Sequence, residues 1–341
     1  MQQGEYTCRS HCDMKIGIIG VRGHTNYVVN ALGQLPDATI AGACDGDCGD
    51  DLSGFLARLD ELEQATTVYD EYATLLAEEE LDVVCIAGPF ERTSEYILAA
   101  AATGARILTE KPVANNYEDL RALAAAIRAP AQVTPMMALR FAPAFYTAWA
   151  AVKGGAVGDI RLIHAQKSYR MGERPTFFHA RETSTGLIPW VGSHAFDWIW
   201  WFTGSQARRV YASHSQVGNY GHGDLEASAA CHVLLDNGIQ ATVNLDFLRP
   251  ATARSHGDDR LRVVGTDGIV EVRDDVAYLM NADKDGELEL LDPPPIFPAM
   301  LLGGAMEGAV PTFRDAVQVT ALALAARESA DRRMPLEVPI I

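Results

Sequence analysis

The chain has 341 residues, 45 Asp and Glu against 28 Lys and Arg, a formal net charge of −17, and 48 % hydrophobic against 21 % charged residues. The length predicts about two domains at roughly 150 residues each, and the composition is globular and excludes wholesale disorder. Such an acidic excess argues against a nucleic-acid or anionic-membrane surface, which needs clustered Lys and Arg. No apolar run approaches the roughly 18 residues of a membrane span; the densest, Ala195 to Phe202, is short and contains Asp197.

Residues 1–13, MQQGEYTCRSHCD, lack the apolar segment of a signal peptide and any helical period, and are expected to form a loose leader. Cys8, Cys12, Cys44, Cys48, Cys85 and Cys231 are too sparse for a secreted disulfide framework, so free thiols in a reducing cytoplasm are expected. Neither Cys8, His11 and Cys12 nor Cys44 with Cys48 has the paired spacing of a structural zinc site, and no metal is expected.

From Lys15 to about Met137, short β-rich runs alternate with amphipathic stretches. The runs are KIGIIG (15–20), TIAGAC (39–44), TTVYD (66–70), LDVVCIAG (81–88), ARILTE (105–110) and QVTPMM (132–137). This pattern predicts a doubly wound parallel sheet over 14–137, with crossover helices between the strands. The first and fourth runs are apolar at nearly every position, as in strands covered on both faces.

Residues 138–341 read differently. A helix over about Ala144 to Lys153 precedes the run IRLIHAQKSY (160–169), a polar loop to Gly186 and a helix around His194 to Phe202. Residues 231–247 predict two strands around Asp236-Asn237-Gly238, and 261–272 another pair around Thr266-Asp267-Gly268. The expectation is a second α/β domain with a large open, mostly antiparallel sheet. A last helix, about 311–328, is free to pack on either domain, and DPPPIFP (292–298) reads as a loop.

The first strand runs into Gly20-Val21-Arg22-Gly23-His24-Thr25 before a helix around Tyr27 to Leu35. A glycine turn between strand and helix lets backbone N–H groups and the helix dipole meet a pyrophosphate. The spacing departs from GxGxxG, which needs glycine where Arg22 and Thr25 stand; by itself the loop suits a phosphate cradle or an ordinary tight turn. Asp45, 25 residues after Gly20, stands where an acidic side chain accepts ribose hydroxyls, the alternative being a turn residue in Asp45-Gly46-Asp47. A carboxylate on the ribose repels a 2′-phosphate, so NAD is expected over NADP. Gly88-Pro89-Phe90 and Thr109-Glu110-Lys111-Pro112 follow later strands and should line the same crevice. The candidate cofactor-binding residues are therefore Gly20, Val21, Arg22, Gly23, His24, Asp45, Gly88, Pro89, Glu110 and Lys111.

Glu110-Lys111-Pro112, then Arg140-Phe141-Ala142-Pro143, then Gly192-Ser193-His194-Ala195-Phe196-Asp197 resemble, in order and spacing, the Gfo/Idh/MocA family of nicotinamide-dependent oxidoreductases. The resemblance covers nearly the whole chain from Lys15. It implies a Rossmann domain, a substrate domain whose open sheet joins dimers or tetramers, and oxidation or reduction of a carbon in a sugar, cyclitol or polyol. It also implies Lys111 near the nicotinamide and the reacting oxygen, with His194 as acid or base. Chemically, removing hydride from an alcohol also requires removing the hydroxyl proton, for which histidine starts near the right pKa, while an ammonium beside the oxygen favours alkoxide character. Asp197, three residues after His194, is expected to orient or charge-stabilise it.

One departure stands out. Most catalytic members of the family carry aspartate four residues before the histidine, where this chain has Trp190. Either Asp197 or a loop residue such as Glu182 takes over that task, or the chemistry differs. Trp190 itself offers a flat face to a sugar ring or packs with Trp198, Trp200 and Trp201. Arg140, Lys167 and Tyr169 complete the candidate substrate residues beside Lys111, Trp190 and His194, while Arg170, His179 and Arg181 lie nearby. Cations at this mouth would suit a carboxylated or phosphorylated sugar. His256-Gly257-Asp258-Asp259-Arg260 reads as a turn. Three other functions remain open: an NAD-binding regulator or scaffold without turnover, a lyase or glycoside-cleaving enzyme using held NAD, and reduction of an imine or enamine.

Overall fold

The computed structural model describes residues 14–129, 132–302 and 308–341; the expected leader, with Cys8, His11 and Cys12, lies outside the described residues. In the first lobe the apolar runs become six parallel strands, β1 (Met14–Ile19), β2 (Ala38–Cys44), β3 (Thr67–Val68), β4 (Val83–Ile86), β5 (Arg106–Thr109) and β6 (Val133–Pro135). They are joined by α1 (Thr25–Ala31), α2 (Ser53–Glu61), α3 (Tyr72–Glu78), α4 (Thr93–Thr103) and α5 (Tyr117–Ala126). The strand order β3-β2-β1-β4-β5-β6 reverses direction between β1 and β4. Such a reversal leaves a crevice beyond the carboxyl ends of the strands. Ile16, Ile18, Val84 and Ile86 are buried, as expected for strands covered by helices on both faces.

The second lobe carries α6 (Pro143–Lys153), β7 (Ile160–Arg170), α7 (Arg181–Ser184), α8 (Leu187–Trp190) and α9 (Gly192–Thr203). These are followed by β8 (Ala207–Ser215), β9 (Ser228–Leu235), β10 (Gln240–Arg249), β11 (Gly257–Gly265), β12 (Gly268–Arg273), β13 (Val276–Asn281) and β14 (Asp285–Glu287). The chain then forms α10 (Ile296–Leu302), α11 (Phe313–Arg332) and β15 (Leu336–Glu337). Nine strands form one sheet, β14-β13-β12-β11-β7-β10-β9-β8-β15. Every pairing is antiparallel except that of β7 with β10. Alternation sorts the two faces: Ile163, Ala165, Lys167, Val243, Leu245 and Phe247 point beneath α9, and Leu162, Tyr211 and Met280 point away from it. The predicted turn at Asn237-Gly238 joins β9 to β10, with Gly238 at φ 85°. Asp258 and Asp259 were expected in a turn but lie within β11, Asp259 directly opposite Lys167.

α11 packs on both lobes. It lies against β8 and α9 and also meets α5, and its start is held by a capping box between Thr312 and Asp315. From its outer turns Arg327 donates to the carbonyls of Thr185 (3.1 Å) and Asn115 (2.7 Å), and Thr320 Oγ1 accepts from Val113 N (3.4 Å).

Candidate active site

The crevice at the reversal is closed by backbone. Gly20 has φ 77°, and a Cβ there would stand 1.7 Å from the Gly88 carbonyl oxygen, so the loops after β1 and β4 meet only because residue 20 is glycine. α1 begins without a side-chain cap, so its first N–H groups have no side-chain acceptor from the cap position. Around this cradle, Arg22 is held by Asp50 (2.5 Å) and Glu91 (3.3 Å) and lies 4.8 Å over the Phe177 ring. Arg92 is likewise paired with Asp47 (3.5 Å) and Glu95 (2.7 Å). Asp45 accepts from Asp47 N (2.8 Å) and Gly49 N (2.5 Å), so its carboxylate closes its own turn at the end of β2. A glycine contact at the β1–β4 reversal, an uncapped helix start and an acidic rim whose arginines are already paired fit a dinucleotide.

Glu110 and Lys111 follow β5 and take different side-chain partners. Glu110 is fully buried; its Oε1 accepts from His24 N (2.6 Å) and pairs with His24 Nδ1, and its Oε2 accepts from Lys111 N (3.2 Å). Burial opposes its charge, but His24 and Lys111 outweigh burial and hold the carboxyl below its usual range. Lys111, also buried, donates to the Trp190 carbonyl (2.7 Å), with Nζ 3.6 Å from the centroid of that indole. Desolvation lowers this amine to about 8; Glu110 resists the shift and Lys167 adds to it.

His194 lies in the first turn of α9 and is buried, and its Nδ1 has no hydrogen-bond partner among the described residues. Its pKa falls well below the ordinary 6.5, first through burial and then through the charges of Lys111, Lys167 and His24. Its ring meets His24 edge-on at 6.5 Å, and His24 stacks on Tyr27 at 4.9 Å. Tyr27 in turn stacks on Phe297 at 4.8 Å. Lys167 projects from the inner face of β7, paired with Asp259 (2.5 Å) and 4.7 Å from the Tyr169 ring. Burial works against its charge, but Tyr169 and Asp259 more than compensate and raise its pKa. The second oxygen of Asp259 is buried without a partner among the described residues. The structure thus gathers His24, Glu110, Lys111, Lys167, Tyr169, Trp190 and His194 along the junction of the two lobes.

Two predicted members are elsewhere engaged. Asp197 does not reach His194: both its oxygens accept from Arg140, at 2.9 and 2.5 Å, and both residues are 2 % exposed. Arg140 also bonds Asp315 (3.1 Å), which accepts from Trp200 Nε1 (2.7 Å). A guanidinium from the segment before α6 competes for the carboxylate and wins by a bidentate fork, so Arg140 and Asp197 join α9 to α11. Glu182 is exposed on α7 and has no bond to His194. Arg181 is tied to Glu226 and Asp331. Tyr27, Phe297 and Asp259 were not anticipated at this junction; for Asp259 the signal was there, since DDRLRVV alternates like a strand.

Fold and site together define an oxidoreductase on an NAD-binding Rossmann fold. Residues 14–135 match the family described as "Oxidoreductase family, NAD-binding Rossmann fold" and residues 145–271 match the "GFO/IDH/MocA C-terminal domain"; the chain belongs to the Gfo/Idh/MocA family. It is 27 % identical over 328 residues to the rhizopine catabolism protein MocA of Rhizobium meliloti, covering 93 % of this chain and 95 % of that one. A Thermotoga maritima structure described only as an oxidoreductase superposes with a TM-score of 0.88 at 37 % identity, covering 95 % of this chain and all (100 %) of the other. Levoglucosan dehydrogenase in complex with NADH shares the fold, with a TM-score of 0.78 at 18 % identity over 96 % of this chain and 100 % of that one.

Proposed function

We propose that the protein transfers hydride between NAD and a hydroxyl-bearing carbon of a sugar, cyclitol, polyol or derivative, with Lys111 and His194 at the reacting oxygen. The observation that carries this reading is that both groups are buried at one junction, the amine on the carbonyl and indole of Trp190 and the imidazole edge-on to His24, whose ring lies 6.5 Å from each of Trp190 and His194. Bound in the crevice, NAD would supply the hydride acceptor or donor. Gly20, Val21, Gly23 and Gly88 would approach its phosphates through backbone, Asp45 its ribose, and Pro89 and His24 the walls beside it. Arg22 would act only through the acids it holds in place.

Proton handling falls to Lys111. An amine near 8 exchanges a proton at neutral pH with little penalty, whereas His194, unsupported by any carboxylate among the described residues, stays neutral and offers a lone pair or N–H to orient the hydroxyl. Trp190, carrying the Lys111 amine on one contact and packed 4.1 Å from the Phe90 ring, would present its indole to the apolar side of the substrate. Tyr169 and Lys167 would bound the substrate's far end. The acidic rim, with Arg22 and Arg92 already paired, favours NAD over NADP. By the same reading a second copy covers the outward sheet face, and free Cys44, Cys85 and Cys231 suit a cytoplasmic protein.

Trp190 in the place of an aspartate favours a second reading, an NAD-binding regulator without turnover. Calorimetry with NADH and NADPH, followed by an absorbance screen at the reduced-nicotinamide band over sugars, cyclitols and polyols, decides between them. Tight NADH binding with turnover of at least one such substrate supports the enzyme; NADH binding without turnover across the screen supports the regulator. A preference for NADPH removes Asp45 from the ribose.

A further inference from the structure

A cavity of about 650 Å³ opens at the ends of β7 and β10, lined by Arg170, Arg174, Tyr220, Phe247, Arg249 and His256 among others. Tyr169 links it to the reaction centre: the Lys167 amine lies 4.7 Å from its ring, and the same ring stacks on His256 at 5.0 Å and Phe247 at 6.2 Å.

The charges around this cavity are unbalanced. Arg249 is satisfied by Asp258 (3.2 Å) and Ser255 (3.0 Å). Arg174 is not: among the described residues its guanidinium has no carboxylate partner, one Nη donates to the Arg170 carbonyl (2.9 Å), and its Nε is buried without any acceptor. It rests instead on aromatic faces, 4.5 Å from the Phe247 centroid and 5.7 Å from that of Phe178. The Arg170 guanidinium donates to the Ala251 carbonyl (3.3 Å) and has no carboxylate partner among the described residues. Glu173, the one acid among the lining residues, is exposed.

In a chain with 45 acidic and 28 basic side chains, carboxylates were available to neutralise two neighbouring arginines, yet among the described residues none does. A guanidinium packed against phenyl rings gives up part of its hydration but keeps its planar fork of donors, which matches an oxyanion in two-point contact. Lost hydration is recovered when an anion arrives. The acid on this side, Asp259, is paired with Lys167 rather than with either arginine.

We propose that the cavity is a subsite for an anionic substituent of the substrate, a carboxylate or a phosphate ester, gripped by Arg174 with Arg170 as second donor. The proposal rests on the reading of Lys111 and His194 as the reaction centre, and it narrows the substrate to an acidic or phosphorylated polyol or sugar.

The test is a binding panel on the full chain with saturating NADH, in which each hexitol, cyclitol or aldose is paired with its uronic or aldonic acid and with its phosphate ester, measured by calorimetry. At least one acid or ester is expected to bind tenfold or more tightly than its neutral parent. Arg174→Met is expected to reduce that preference at least tenfold, with Arg174→Lys restoring only part of it. The acid and ester arms separate a carboxylate site from a phosphate site. Unchanged NADH affinity and melting temperature show that each variant is folded. If no acid or ester outbinds its parent, or if the preference survives in both Arg174 variants, the subsite is refuted. If the preference exists and needs Arg174 but an absorbance screen finds no compound in the panel oxidised or reduced, the subsite stands and the reading of Lys111 and His194 as the centre of polyol or sugar turnover falls.

Discussion

Lys111 and His194 are both nitrogen bases, yet burial serves them differently. With its amine near 8, Lys111 changes charge in the range where an alcohol must lose a proton. The rate of substrate oxidation should therefore rise with pH through about 8 and level off above it, and the reverse reduction should fall over the same range. Lys111→Met should remove this profile and lower kcat by roughly 10²–10⁴-fold, while calorimetry still finds NADH bound. For His194 the readout is stability. Its folded pKa lies well below 6.5, so beneath that pH the unfolded chain takes up a proton that the folded chain refuses. Stability is fully present above the unfolded pKa and declines on acidification, by at most about 1.4 kcal/mol per pH unit from this one group. Thermal melts between pH 7 and 5 should show a shallower decline for His194→Gln than for the parent; equal slopes would mean the imidazole is not buried neutral.

Between elements, the Arg140–Asp197–Asp315 network shows where sequence and structure part company. The strands of the first lobe and the glycine turn could be read from pattern, because apolar runs and turn residues are local, whereas Lys111 and His194 are singled out by resemblance to a family. The partner of Asp197 could be read from neither. Its spacing from His194 places both on α9, but which cation reaches the carboxylate depends on how the segment before α6 crosses α9, and that is decided by packing. The register that sets Asp259 against Lys167 is hidden in the same way, since it joins β7 to β11 across intervening strands and helices. Breaking the network should cost stability and leave the cofactor site alone. Asp197→Ala is expected to destabilise by about 3–5 kcal/mol, the usual cost of stranding a buried charge, with NADH affinity retained at temperatures where the variant stays folded. Arg140→Met combined with Asp197→Leu should recover part of that loss in urea melts, because neither charge is then left alone. If Asp197→Ala melted like the parent but lost turnover, Asp197 would belong to the chemistry after all.

For the whole molecule, the outward face of the nine-stranded sheet carries Leu162, Tyr211 and Met280, which are 39 %, 46 % and 52 % exposed. A broad sheet face with large apolar side chains, whose arginines on β11 are paired with Asp258 and Glu271, suits self-association. Light scattering on the eluting protein should give a dimer or larger, and Thr242→Arg with Tyr211→Asp should shift it to a monomer of unchanged far-ultraviolet spectrum. A monomeric parent would assign this face to solvent. The brace formed by α11 has a consequence of its own. Thr185 and Asn115 belong to different lobes, and the Arg327 guanidinium holds both carbonyls. During synthesis the residues of the parallel sheet emerge well before Arg327, so this clasp can join the two lobes only after both have been made.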